Sequence, residues 1–224
     1  EMRIELDVDR QPEPDPWNSY YAVRFAWGDE TAEVYRSVNL ASRPTEASLL
    51  ESPYLLDLRT PKTRTTILTG GLPYHRRFGL RMLDTILVVH GETARSFRLG
   101  VGIGLLHPVP AALDFLAPQA VWPETAAPPG SRSGWLFHLD AKNVVATHWS
   151  PLLKEGRIAG YRVRLLETEG RGTRVGLRSL HSVKTARKVD YTGAQPTELS
   201  IEGDRVTIDL GAHEWAQVEV ESVD

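Results

Sequence analysis

The sequence predicts an all-β protein, and three observations carry that prediction. Apolar residues recur at every second position through most of the chain, glycine-centred turn signals separate these runs, and no long stripe of helical period is found.

At the start of the chain, Met2, Ile4, Leu6 and Val8 alternate with Arg3, Glu5 and Asp7. Phe97, Leu99, Val101, Ile103 and Leu105 alternate with Arg98 and three glycines. The pattern returns in Tyr161, Val163 and Leu165 against Arg162 and Arg164, and in Val206, Ile208 and Leu210. It closes with Ala216, Val218 and Val220 against Gln217, Glu219 and Glu221. Strands with one apolar and one wet face predict antiparallel sheets. Gly28-Asp29, Gly70-Gly71, His90-Gly91-Glu92, Gly170-Arg171-Gly172 and Glu202-Gly203-Asp204 supply the hairpin chemistry between them. Only 41–50 and 111–116 have the composition for a helical turn or two. The whole therefore reads as antiparallel β-sandwich, with two packed sheets or more.

With 224 residues, 41% of them hydrophobic and 25% charged, the chain can bury one large core or two smaller ones. A formal net charge of -3 gives no broad attraction to nucleic acid or to an anionic membrane, so neither is an expected partner. No apolar run approaches the roughly 20 residues that span a bilayer. The N-terminal EMRIELDVDR has no apolar segment of signal-peptide type, so any such signal would lie upstream. The absence of cysteine excludes disulfides, thiolate zinc sites and cysteine nucleophiles, and it fits a reducing compartment. A cytoplasmic location is the expectation.

Two stretches break the strand pattern. QPEPDPWN at 11–18 places three prolines among acids, and proline cannot donate to a central ladder, so this is a loop. WPETAAPPGSRSG at 122–134 has the composition of a surface loop or linker. After it the hairpins become short and regular, which predicts two regions, 1–152 and a smaller β-sandwich at 153–224.

Candidate chemistry is sparse. The seven histidines form no His-Glu-x-x-His pair, and His138-Leu139-Asp140 supplies only two ligands on one strand face, so no metal site is assigned. GVGIG at 100–104 is followed by LLHPVP in place of a helix N-terminus, which makes strand glycines of it and not a phosphate loop. Glu167 and Glu169 form an E-x-E pair whose Cα separation, about 6–7 Å on a strand, overlaps that of glycosidase carboxylates. The arginines at 162, 164, 171, 174 and 178 are simpler partners for them, and the two glutamates read as the rim of a hairpin.

The run GYRVRLLETEGRGTRVGL, 160–177, with its continuation to 221, resembles the C-terminal β-sandwich of glycoside hydrolase family 38, the α-mannosidase family. Arg164, Glu167, Glu169, Gly170, Arg171, Val175, Leu177, Asp190, Gly193 and Leu210 carry the likeness. Upstream, TILTGGLPYHRRFGLRML and its surroundings, 54–116, resemble the family's large galactose-mutarotase-like β-domain. The resemblance implies a supersandwich portion over 1–152 and a smaller sandwich over 153–224. It further implies that the chain is the non-catalytic end of an α-mannosidase-like hydrolase, bracing the barrel and shaping the carbohydrate cleft.

In that family the zinc ion and the nucleophile belong to an N-terminal barrel. The resemblance therefore implies no catalytic residue and no cofactor in this chain, which alone should be inactive. The barrel of the same polypeptide and an α-mannoside are the implied partners. YHRR at 74–77 resembles the one stretch where the family's β-domain approaches the cleft, which makes His75, Arg76 and Arg77 the substrate-cleft candidates. An arginine fork suits a carboxylate or a sugar hydroxyl. The alternative reading is a free-standing carbohydrate-binding module, with Trp17, Trp27, Trp122, Trp135, Trp149 and Trp215 available to stack on sugar.

Overall fold

The computed structural model describes residues 1–117, 134–190, 192–193 and 195–223. The chain divides into two compact units, Glu1–Gln119 and Ala120–Asp224. Both are all-β, as the period-two pattern predicts.

The first unit begins with β1 (Met2–Glu5), β2 (Tyr21–Ala26), β3 (Glu33–Val38), β4 (Ala41–Pro44) and β5 (Leu49–Glu51). It continues with β6 (Leu55–Arg59), β7 (Arg64–Leu68), β8 (Tyr74–Phe78), β9 (Met82–Val88), β10 (Ser96–Ile103) and the helix α1 (Pro108–Leu116). Two antiparallel sheets result, one of six strands ordered β1-β10-β7-β6-β3-β4 and one of four ordered β2-β9-β8-β5. Val34, Leu56, Leu58 and Ile67 of the larger sheet meet Leu50 and Leu83 of the smaller, with Phe25 and Trp27 packed against them. Leu87, Val88 and Phe97 form a second cluster with Ile4, Leu6, Tyr21, Val23 and Leu72. Each fully buried Leu or Ile contributes about 1.5–3 kcal/mol relative to exposure, so these clusters dominate the stability of the unit.

The glycines of β10 lie in the strand. A Cβ on Gly100 would meet Leu68 at 3.0 Å, its ladder partner, and one on Gly102 would meet Leu105 at 2.3 Å. α1 starts with Pro108, whose missing N–H is no loss in the first turn, and its Phe115 lies 5.0 Å beneath the Arg98 guanidinium. Buried Asp57 accepts from Arg59 Nε at 2.7 Å, Arg64 Nε at 2.7 Å and Thr66 Oγ1 at 2.8 Å, which satisfies a charge that could not otherwise stay inside.

The second unit contains β11 (Phe137–Leu139), β12 (Val144–Lys154), β13 (Arg157–Glu167), β14 (Thr173–Ser179) and β15 (Val183–Val189). β16 (Thr197–Glu198), β17 (Ser200–Glu202), β18 (Arg205–Leu210) and β19 (Trp215–Ser222) complete it. A five-stranded sheet ordered β12-β13-β19-β15-β16 and a four-stranded one ordered β11-β14-β18-β17 are again antiparallel throughout. Tyr161, Val163, Leu165, Val218 and Val220 from one sheet meet Val175, Leu177, Val206, Ile208 and Leu210 from the other. These are the inward residues of the alternating runs in the sequence.

Two details differ from the sequence reading. The 41–50 stretch is extended and not helical, because Asn39 and Leu40, at φ 48° and 66°, make a two-residue hairpin that turns β3 into β4. The break between units falls at 119/120 and not at 152/153. β12 continues through that position with a register shift, Leu152 opposite Gly160 and Leu153 opposite Ile158, and the hairpin it forms with β13 belongs wholly to the second unit.

Candidate functional site

β8 decides where the YHRR motif points. Successive side chains on a strand alternate faces, so Tyr74, Arg76 and Phe78 share the outer face of the four-stranded sheet while His75 and Arg77 turn inward. Arg24 and Arg76 both lie over the Phe78 ring, at 4.8 and 4.6 Å from its centroid. Register brings Asp84 of β9 opposite Arg76 on one side and Arg24 on the other.

Asp84 is the anchor of this face. Although almost wholly buried, it accepts two parallel bonds from Arg24, Nε to Oδ1 at 2.6 Å and Nη2 to Oδ2 at 2.8 Å, and a third from the Tyr20 hydroxyl at 3.0 Å. Burial alone pushes its carboxyl up, but the bonds from Arg24 and Tyr20 outweigh that and hold it below the ordinary carboxylate range. The Tyr20 hydroxyl is pushed up, first by burial and then by its bond to Asp84.

Arg76 completes the arrangement by reaching the proline-rich loop. Its Nη1 donates to the Trp17 carbonyl and to Asn18 Oδ1 at 3.1 Å. Asp15 closes the turn beneath, accepting from Asn18 Nδ2 at 2.6 Å and from the Trp17 N–H at 3.0 Å. The Asn18 side chain and then the Trp17 N–H hold the Asp15 carboxyl below its usual range. So fixed, Trp17 stands edge-to-face against Tyr74, with centroids 5.8 Å apart and an interplanar angle of 83°.

Beside this pair opens a pocket of about 350 Å³ lined by Pro16, Trp17, Glu51, Tyr74, Ile86 and Val89. Ile86 is the buried floor, Tyr74 is 47% exposed, and exposed Glu51 sits opposite Tyr74 in the ladder. The pocket offers two aromatic surfaces for apolar C–H faces and one carboxylate that accepts hydroxyl hydrogens. Its members come from a loop and from β5, β8 and β9, so no local motif announces them. The period-two rule applied to YHRR does place Tyr74 beside Arg76.

The other two residues of the motif face the opposite way, His75 fully buried and Arg77 half-buried. His75 is fully buried, with Nε2 3.1 Å from the Ser52 carbonyl and Nδ1 3.1 Å from Thr85 Oγ1. A carbonyl can only accept, so Nε2 carries the proton and Nδ1 accepts from the Thr85 hydroxyl. Burial lowers the imidazole pKa to about 4 and keeps it neutral. Arg77 turns the same way, and its buried Nε has no hydrogen-bond partner among the described residues. The structure thus separates the three candidates, with Arg76 alone on the outer face.

The E-x-E pair is separated as well. Glu167 ends β13 fully buried, and its carboxylate accepts five bonds. They come from Asn143 Nδ2 at 2.9 Å and from the N–H groups of Glu169, Gly170, Arg171 and His213 at 2.8, 2.7, 3.0 and 2.9 Å. Burial opposes ionisation here, yet these donors prevail and lower its pKa. It is a structural anion inside the turn and not an arginine-paired rim residue. Glu169 lies beyond the strand and pairs with Arg171. His138 stands on β11 opposite Arg178, and Asp140, past the strand end, accepts from the Gly176 N–H at 2.7 Å and from Arg205.

Of the tryptophans, Trp135, Trp149 and Trp215 are 46%, 39% and 40% exposed, so they too present ring surface, whereas Trp27 packs on the core of the first unit. Trp122 lies outside the described residues. Among the described residues no three His, Asp or Glu side chains gather to hold a metal ion, and no helix is long and apolar enough to cross a membrane. No protein-family model matches the chain, and no curated protein matches it.

Proposed function

We propose that the chain is a non-catalytic β-region of an α-mannosidase-like glycoside hydrolase, contacting carbohydrate through the Trp17, Tyr74 and Glu51 pocket. The observation that carries this reading is the pocket itself: an aromatic pair held by Arg76 beside a carboxylate with no partner among the described residues. A sugar ring has apolar C–H faces and equatorial rims of hydroxyls, so it is matched by an aromatic wall and a hydroxyl acceptor in one concavity. The resemblance of 160–221 and 54–116 to glycoside hydrolase family 38 supplies the substrate class, a terminal α-mannoside. It also supplies the galactose-mutarotase-like assignment of the first unit. In the intact enzyme, hydrolysis with retention would proceed on an N-terminal barrel that carries the zinc and the nucleophile, braced by this region.

Titration with methyl α-D-mannopyranoside, read by tryptophan fluorescence, tests the contact. The reading expects a saturable change at millimolar sugar that Trp17→Ala and Glu51→Gln each weaken at least tenfold. No change up to 100 mM, or a change indifferent to both substitutions, would sink it. The same pocket suits a free-standing carbohydrate-binding module. An antibody raised against the chain separates the two readings in the native source: a polypeptide several times heavier than 25.0 kDa supports the hydrolase, and one of 25.0 kDa the module.

A further inference from the structure

The pocket beside Trp17 and Tyr74 has a charge character of its own. Its lining is Pro16, Trp17, Glu51, Tyr74, Ile86 and Val89, so among the described residues no lysine, arginine or histidine borders it. Arg76, on the same face of β8 as Tyr74, is already committed to the Trp17 carbonyl and to Asn18 Oδ1. Glu51 is exposed and directly opposite Tyr74 in the ladder of β5 and β8, and it has no hydrogen bond or ion pair among the described residues.

The aromatic pair adds to that character. The face of an aromatic ring is the negative end of its quadrupole, and it attracts cations. Trp17 and Tyr74 meet at 83° with centroids 5.8 Å apart, which makes a corner of two ring systems, and both line the pocket beside the Glu51 carboxylate. Buried Ile86, with Pro16 and Val89, contributes apolar contact alone. A full negative charge and two electron-rich rings thus meet in one concavity that holds no positive group of its own.

We propose that this pocket selects a sugar bearing an ammonium group, a 2-amino-2-deoxyhexose, over the neutral hexose of the same configuration. The inference rests on the carbohydrate reading above and names the class of sugar that the site prefers. One ring takes the apolar C–H face of the sugar, while the ammonium lies against the other ring and donates to the Glu51 carboxylate. A neutral hexose offers that carboxylate only hydroxyl hydrogens, and a uronic acid would bring a second negative charge to a site with no cation to receive it.

Heteronuclear NMR of the whole chain tests it, because each indole N–H gives its own cross-peak and Trp17→Phe identifies the relevant one. At low salt and mildly acidic pH, where the amine is an ammonium, D-mannosamine should move the Trp17 peak with a Kd about fivefold or more below that of D-mannose. N-acetyl-D-mannosamine, which keeps the nitrogen without the charge, should show no such advantage. Raising the salt to about 0.5 M should shrink the advantage, since exposed charges are then screened within a few ångströms. Glu51→Gln, at an exposed position, should keep the spectrum dispersed and bring the two Kd values within about twofold of each other. Equal affinities in the wild type, an advantage shared by the N-acetylated sugar, or one that survives Glu51→Gln would each overturn the proposal. Mannose binding without a preference sinks this inference alone, whereas a Trp17 peak unmoved by all three sugars sinks the carbohydrate reading with it.

Discussion

The Glu167 carboxylate accepts the backbone N–H of His213 at 2.9 Å and so ties together two turns 46 residues apart in sequence. The same group organises the 169–171 turn, which makes one buried charge the common centre of both. Glu167→Gln keeps the shape but turns an amide N–H₂ toward backbone donors. A loss of about 2–3 kcal/mol is expected from unsatisfied buried groups and lost charge-assisted bonds. Calorimetry should show the second unit melting lower and the first unmoved. Because the folded pKa lies below 4.5, the stabilisation is complete above pH 4.5 and is lost as the pH falls through the folded value.

His75 gives the first unit an acid sensitivity of its own. The folded imidazole, at about 4, is harder to protonate than the unfolded one at 6.5, so falling pH favours the unfolded chain between those values. Stability is full above pH 6.5, declines by on the order of 3 kcal/mol toward pH 4, and is flat below. Denaturant melts from pH 7 to pH 4 should show this decline in the wild type and not in His75→Gln, which is less stable at pH 7.

Arg76 positions the Trp17 loop, and its removal should be felt there before it is felt in overall stability. Arg76→Ala is expected to red-shift and depolarise Trp17 emission, with a melting temperature within a few degrees of wild type, since the residue is part-exposed. Asp84→Asn should do more, about 2–3 kcal/mol, because it leaves Arg24, Tyr20 and Arg76 facing a neutral amide. Comparing the two by fluorescence and thermal melting separates loop positioning from sheet stability.

Gly160 is a strand glycine that sterics require. A Cβ there would sit 2.0 Å from the Val220 carbonyl oxygen and 2.8 Å from the Glu221 Cα, both backbone atoms that cannot swing aside. Gly160→Ala should therefore destabilise the second unit by about 3 kcal/mol, at the upper end of ordinary overpacking. Gly156→Ala, in the same hairpin with nothing within 4 Å but φ at 76°, should cost only about 1 kcal/mol.

The alternating runs proved readable because burial at every second residue is a local property of a strand. Phe97 and Leu99, Ile208 and Leu210, Val218 and Val220 all lie in cores where that pattern places them. The Asn39-Leu40 hairpin was hidden, since leucine at positive φ is disfavoured in isolation and is held there by the ladder of β3 and β4. Glu167 was hidden for another reason. Three of its four backbone donors are adjacent, but the fourth comes from the 213 turn, and nothing in E-T-E-G shows which way the carboxylate faces. The YHRR stretch was legible in its alternation and not in its sense. Only Leu50 and Thr85, brought alongside by β5 and β9, make the His75 side the inner one.

The pairing of β1 with β10 bears on how the protein emerges during synthesis. Met2 meets Leu99 and Ile4 meets Phe97, so β1, the first strand of its unit, finds its ladder partner among the described residues in β10, the last strand of that unit. Until β10 has also left the ribosome, its apolar side chains have no register to enter. Such late, long-range closure folds slowly and leaves a nascent strand open to wrong neighbours. A chaperone that holds extended apolar segments would find its natural client in this strand.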